Sequence, residues 1–197
     1  MSPITSPAIV EIPASELERV FPTLVLAFGA DPMARWSWPD PQRYFASFSA
    51  MLRGFASRGT IHCVGDQAGG YAAAAVWMPP GVEPDEAALE QGMREGVPPA
   101  RQSEVAAVVE QMGLNHPREP HWHLPLIGAD PAHQHRGLGS ALLRHALARC
   151  DREHLPAYLE SSNPANVPLY ERHGFRRTGV IQVGSSPELV LMLRAAR

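Results

Sequence analysis

An α/β domain is the fold this sequence predicts, and three observations predict it. Apolar residues switch along the chain between a spacing of two and a spacing near 3.6, the signature of strands alternating with helices. The 20 prolines and 16 glycines punctuate these periodic stretches. A chain of 197 residues with 45% hydrophobic content is long enough to bury one sizeable core, so 1–197 is expected to be a single domain. No internal repeat or low-complexity tract argues otherwise.

The elements follow in order. AIVEIPA (8–14) reads as a short first strand. ASELERVFPTLVLAFG (14–29) reads as one amphipathic helix, with Leu17, Val20, Leu24 and Phe28 near helical spacing and Gly29 at its end. DPMARWSWPDP (31–41) reads as an aromatic loop, and QRYFASFSAMLRGFA (42–56) as a second helix. TIHCVG (60–65) and GYAAAAVWMPPG (70–81) read as a hairpin despite the alanines. Residues 83–113 are helical, acidic to mixed, and broken at GVPP (96–99). From HWHLPLIGADP (121–131) onward the pattern runs strand, helix, strand, helix, strand, strand.

Charge and cysteines narrow the function. The net charge of −3 argues against a broad nucleic-acid footprint. Cys63 and Cys150 lie far apart with no CxxC spacing, and read as buried free thiols of a reducing cytoplasm. MSPITSPAIVEIP has neither a basic start nor a long apolar core, so no signal peptide is expected. No apolar run approaches the roughly 18 residues that span a bilayer. A cytoplasmic protein without membrane or nucleic-acid partners is expected, and a homodimer is left open.

The most informative stretch is PAHQHRGLGSALLRHAL (131–147). HLPLIGA ends at Asp130-Pro131, and the helix after QHRGLG buries Leu142, Leu143, Ala146, Leu147 and Cys150. At a helix start the first N–H groups lack partners inside the helix, and the dipole favours an anion. Gly137 and Gly139 would let the backbone approach a phosphate. An ordinary strand-to-helix turn can hold the same two glycines. The lysine-serine of a Walker loop and the third glycine of a dinucleotide fingerprint are both missing.

QHRGLG resembles the Q/R-x-x-G-x-G/A signature of the GCN5-related N-acetyltransferase (GNAT) family, and NPANVPLYERHGF (163–175) resembles that family's later helix and the Gly-Phe after it. The two motifs cover 120–194, the expected acetyl-CoA-binding core. PAYLESSNPANVPLYERHGF and AAVWMPPG are similar to the branch that includes puromycin N-acetyltransferase. The resemblance implies a mixed, mostly antiparallel twisted sheet flanked by helices and splayed where acetyl-CoA inserts. It implies transfer of an acetyl group from acetyl-CoA to a primary amine of a small molecule by direct attack. A protein N-terminus or lysine as acceptor, or a non-catalytic acyl-CoA-binding regulator, are the alternatives.

Roles come with the resemblance. Ile127, Gly128 and Ala129 match the strand end that binds the pantetheine arm. The backbone of Gln134, His135, Arg136, Gly137, Leu138, Gly139 and Ser140 matches the pyrophosphate cradle. Tyr170 matches the tyrosine that protonates the departing sulfur, and a phenol, with a reference pKa of about 10, suits that donation. Packing within its helix is the structural alternative. Asn163 matches the asparagine on the coenzyme arm, yet Asn163-Pro164 also suits a helix cap. Pro168 favours a helix starting at Asn166, which makes Asn166 the rival contact. Where many members carry a basic glutamate, this chain has His123, whose imidazole can accept a proton. Glu160 is the competing base. His121 and His123 share a strand face, but two ligands with no nearby carboxylate or cysteine make a metal site unexpected, and His116 lies across a proline loop. Trp36, Trp38, Trp77 and Trp122 either line an acceptor pocket or belong to the core.

Overall fold

The computed structural model describes residues 7–66 and 69–197. The start of the stretch read as lacking a signal peptide, residues 1–6, and part of the hairpin turn, 67–68, lie outside the described residues. β1 (Ile9–Ile12), β2 (Thr60–Gly65), β3 (Tyr71–Met78), β4 (Trp122–Ala129), β5 (Ala157–Ser161), β6 (Arg176–Ile181) and β7 (Leu189–Arg194) form one seven-stranded sheet in the order β1-β2-β3-β4-β5-β7-β6. The β4–β5 pair is parallel and the other neighbours are antiparallel. Helices α1 (Phe21–Ala27), α2 (Pro32–Ser37), α3 (Pro41–Ala56), α4 (Glu86–Gly96), α5 (Gln102–Asn115), α6 (Leu138–Arg152) and α7 (Val167–Arg172) flank it.

Two expectations need correction. The single helix expected over 14–29 is a 3-10 turn, Ala14–Arg19, followed by α1. Pro22 has no N–H to give an interior helical bond, so the α-helix restarts with the proline in its first turn. The aromatic loop expected over 31–41 contains α2, because Asp31 accepts from the Ala34 N–H at 3.0 Å and Pro32 takes the first helical position. Asp40-Pro41 repeats the device at the start of α3.

The core lies on both faces of the sheet. One layer joins α1, α3 and α5 to Ile61, Ala74, Val76, Leu126 and Tyr158. The other joins α6 and α7 to Ala73, Ala75, Trp77, Trp122, Leu124 and Met192. The alanines of β3 are buried, and their small side chains let helices close on both sides of the central strand. Opposite β3, the pairing of β4 is irregular between Leu126 and His123. Such a bulge re-aims side chains, and Leu124 and Leu126 accordingly enter different layers.

Candidate active site

β4 and β5 pair at Trp122↔Ala157 and His123↔Tyr158 and then part. On its other edge β4 stays paired with β3 as far as Ala73↔Ala129. The β5-facing edge of 124–129 is thus open to an extended ligand. Gly128 is a glycine for a packing reason: a Cβ there would lie 2.5 Å from the Ala27 Cβ, so only glycine lets α1 press this closely on β4. Ile127 lines the cleft between the parted strands, and the Ala129 carbonyl accepts from Gln134 Nε2 at 3.3 Å.

Past Ala129 the chain makes a 3-10 turn at Pro131–His133 and then enters α6. His135 (φ 61°) and Gly137 (φ 77°) are left-handed, which curls successive N–H groups into a concave turn. α6 has 15 residues and no side-chain cap, whereas α2, α3 and α4 are capped by Asp31, Asp40 and Asp85. α1, α5 and α7 also lack a side-chain cap, so what distinguishes the start of α6 is the left-handed turn before it, a conformation of the kind that binds anions. The Arg136 guanidinium turns back to the Ala132 carbonyl at 3.2 Å. The two family-like motifs meet here: Ser140 Oγ lies 2.7 Å from His173 Nε2, and Gly139 packs on Leu169.

The titratable groups converge where β4 leaves β5. His123 Nε2 donates to Glu160 Oε2 at 2.8 Å, so the two residues read as rival bases form one pair. His116 also joins them, which corrects the expectation that its loop keeps it away. His116 Nδ1 lies 3.9 Å from Glu160 Oε1, and His116 Nε2 lies 3.0 Å from His121 Nε2. Burial works to raise the Glu160 carboxyl, but the charges and hydrogen bonds of His123 and His116 overcome it and hold the group well below the ordinary carboxylate range. Burial, then the Glu160 charge, raises the neighbouring Tyr158 hydroxyl, which stays protonated. Burial, ahead of its neighbours, lowers His121. Among the described residues, no group of three His, Cys, Asp or Glu is arranged to hold a metal ion.

Tyr170 lines the same cleft as Leu124, Ile127, Glu160, Ser162 and Asn166. Burial, then the charge of Asp31, raises its hydroxyl above the ordinary phenol value. The Asn163 side chain caps the turn at Pro164–Asn166 by accepting from the Ala165 N–H at 3.0 Å, whereas Asn166 borders the cleft. Asp31 and Ser162 escaped the sequence reading. Ser162 Oγ donates to Asp31 Oδ2 at 2.7 Å and ties the start of α2 to the end of β5. The only signal for Asp31 was the Asp-Pro helix start. The four tryptophans are core, each less than 9% exposed. Trp36 and Trp38 spend their indole N–H groups on Ser185 Oγ and the Gly92 carbonyl. Burial pushes the Cys63 thiol up to about 12 and the Cys150 thiol up to about 11, which leaves neither as a ready nucleophile.

Comparison with known proteins gives the family and the fold. Residues 30–175 match the profile of the Acetyltransferase (GNAT) family. An uncharacterized N-acetyltransferase of Schizosaccharomyces pombe is 25% identical over 185 residues, covering 83% of this chain and 72% of the relative. A mycothiol acetyltransferase of Gordonia bronchialis is 39% identical over 66 residues, which are 32% of this chain and 21% of that protein. Among solved structures, a Corynebacterium glutamicum protein described as histone acetyltransferase HPA2 and related acetyltransferase superposes with a TM-score of 0.72 at 24% identity, covering 98% of both chains. Polyamine N-acetyltransferase of Drosophila melanogaster superposes with a TM-score of 0.65 at 18% identity, covering 94% of this chain and 97% of the other. At these identities the structural likenesses show the fold.

Proposed function

The chain belongs to the GNAT acetyltransferase family and is an acyl-CoA-dependent N-acetyltransferase, and on that premise we propose that it acetylates a primary amine of a small molecule by direct attack, as a single cytoplasmic domain spanning 1–197. One observation carries the reading. Glu160 and Tyr170 border the cleft formed where β4 and β5 part, and His123 reaches it through its hydrogen bond to Glu160.

Each residue then has a role that its surroundings suit. Acetyl-CoA supplies the thioester. The β4 edge from Ile127 to Ala129 holds its extended arm, and the N–H groups of 134–140 hold its phosphates, with Asn166 at the cleft wall. His123 takes the proton of the incoming ammonium, because Glu160, held well below the ordinary carboxylate range, is too weak a base to take it. Glu160 instead orients the ring and balances the imidazolium charge, much as a carboxylate orients a catalytic histidine elsewhere. Tyr170 stays protonated across the neutral range and donates to sulfur as negative charge develops there. With both thiols raised by burial, direct attack is favoured over an acyl-cysteine.

The test is a panel of amines, comprising phenethylamine, spermidine and an aminonucleoside, mixed with acetyl-CoA and followed by mass detection of product. An acetylated amine formed by the parent protein and lost in His123→Ala is the expected result. Acetyl-CoA binding without any product would point to a non-catalytic binder instead. Full activity in His123→Ala would remove His123 as the base.

A further inference from the structure

The bond that joins the two motifs has no part in the acetyl-transfer chemistry. Ser140 Oγ and His173 Nε2 lie 2.7 Å apart, and the two residues are 33 positions apart in the chain. Both are half-buried. The backbone holds the histidine firmly: its N–H donates to the Tyr170 carbonyl at 2.9 Å, and its carbonyl accepts from Arg194 Nε at 3.1 Å. Gly139, beside Ser140, packs on Leu169 of α7, so the serine is equally fixed.

The surroundings of the ring are cationic. Burial first, and then Arg144 of α6, Arg172 of α7 and Arg194 of β7, hold the imidazole below its ordinary value, so it is neutral near pH 7. The guanidiniums of Arg194 and Arg197 also pack on the next residue, Gly174. The nearby carboxylates are engaged elsewhere. Glu171 accepts from Arg177 Nε at 3.2 Å, and Asp151 accepts from an Arg194 guanidinium nitrogen at 2.9 Å.

A serine hydroxyl has one hydrogen to donate, whereas a phosphate oxygen with no proton can only accept. Ser140 sits in the first turn of α6, inside the stretch proposed to hold the phosphates. If its hydrogen goes to a phosphate, its oxygen meets Nε2 as an acceptor, and the ring must carry hydrogen there. Negative charge a few ångströms away also favours the doubly protonated ring, because it offsets the arginines.

We propose that His173 is a positioning residue of the coenzyme site: it takes up a proton as acetyl-CoA binds and, donating from Nε2 to Ser140 Oγ, turns the serine hydroxyl toward the phosphates. The inference rests on the acetyl-transfer reading, which places the phosphates at 134–140. The proton comes from solvent and an N–H bond forms on the imidazole. No bond of the coenzyme is made or broken. Because the bound form holds the extra proton, affinity rises as pH falls through neutrality.

Calorimetry of acetyl-CoA binding at pH 7, in buffers of different ionisation enthalpy, counts the protons taken up. His173→Gln is the discriminating variant, since its amide still donates to Ser140 but cannot titrate. His133 and His135 on the turn, and the ribose phosphate with its second pKa of about 6, can exchange protons as well. They are common to both proteins and cancel in the difference. Expected is greater proton uptake in the parent than in His173→Gln. The gain in affinity from pH 8 to pH 6 should also be larger in the parent, by roughly tenfold, the effect of one opposite charge at close range on a titrating group. Equal uptake in the two proteins, with both binding, overturns the role of His173 while leaving the acetyl-transfer reading in place. Failure of the parent to bind acetyl-CoA overturns both. Nitrogen-15 spectra of histidine-labelled parent protein test the same point without a variant. The His173 ring, assigned through its backbone, should move toward the doubly protonated form at pH 7 when acetyl-CoA is added, and a ring that stays neutral would also sink the proposal.

Discussion

Tyr170 and Glu160 are both buried ionisable groups at one cleft, yet their surroundings send them in opposite directions. The Glu160 carboxylate has two imidazoles to offset its burial and stays charged. Tyr170 has burial and the nearby Asp31 charge, both of which oppose ionisation, and keeps its proton. Such a separation of protonation states leaves Tyr170 as a proton donor and Glu160 as the charged partner of His123, the proposed base, at neutral pH. Tyr170→Phe should therefore lower turnover by a hundredfold or more while acetyl-CoA affinity, read by calorimetry, stays near that of the parent. Equal turnover in the two proteins, with chemistry shown to limit the rate, would reduce Tyr170 to a packing residue beside Phe175, whose ring centroid lies 6.1 Å away.

At the scale of elements, α6 is the part most open to test. It begins at a glycine in the left-handed region and ends with Arg149 and Arg152 in its last turn, so its dipole is answered at the C-terminus and left unanswered at the N-terminus. A Cβ on Gly137 meets no atom within 4 Å. Gly137→Ala thus tests the backbone conformation alone, at a cost of about 1–2 kcal/mol. Gly137→Glu adds a negative charge where the phosphates are proposed to sit. The expected outcome is a folded protein in both cases, with acetyl-CoA binding weakened at most modestly in the alanine variant and abolished in the glutamate variant. Parent-like affinity in Gly137→Glu would move the cradle away from 134–140.

Over the whole molecule, histidines set the response to acid. Burial, ahead of every other cause, lowers His62, His121 and His173 below the ordinary imidazole value. An unfolded chain binds protons at these rings from about pH 6.5 downward, before the folded chain does. Their contribution to stability is thus present above that pH and lost as pH falls toward the lowered folded values. Glu160, lowered in the fold, adds a second loss once pH falls below the ordinary glutamate value of about 4.3. The melting temperature should stay level from pH 8 to about pH 7 and fall as pH drops from about 6.5 toward 5, by about 2–4 °C for each kcal/mol lost. His62 is the best single probe, being 5% exposed and packed against His145 at 4.7 Å. His62→Gln should flatten the profile, and an unchanged slope would assign the acid loss to other groups.

By itself the sequence determined what nearest neighbours along the chain control. QHRGLG between a strand and an apolar helix declares a glycine turn at a helix start, because turn preferences and helix ends are local. The alternation of strands and helices from 121 onward is legible for the same reason, and so is the break at GVPP. Pro22 and the Asp-Pro starts of α2 and α3 are local as well, and reading them against hydrophobic spacing would have divided 14–29 and recovered α2. Tertiary structure alone decided the acid–base group. His123 meets Glu160 across 37 residues because β4 and β5 run parallel in a register that places His123 beside Tyr158. His116 arrives from the loop after α5, and no spacing in the sequence encodes that approach. Proton affinities depend on burial and on charges a few ångströms away in space. Which of two plausible bases is held ionised is therefore a property of the packed sheet.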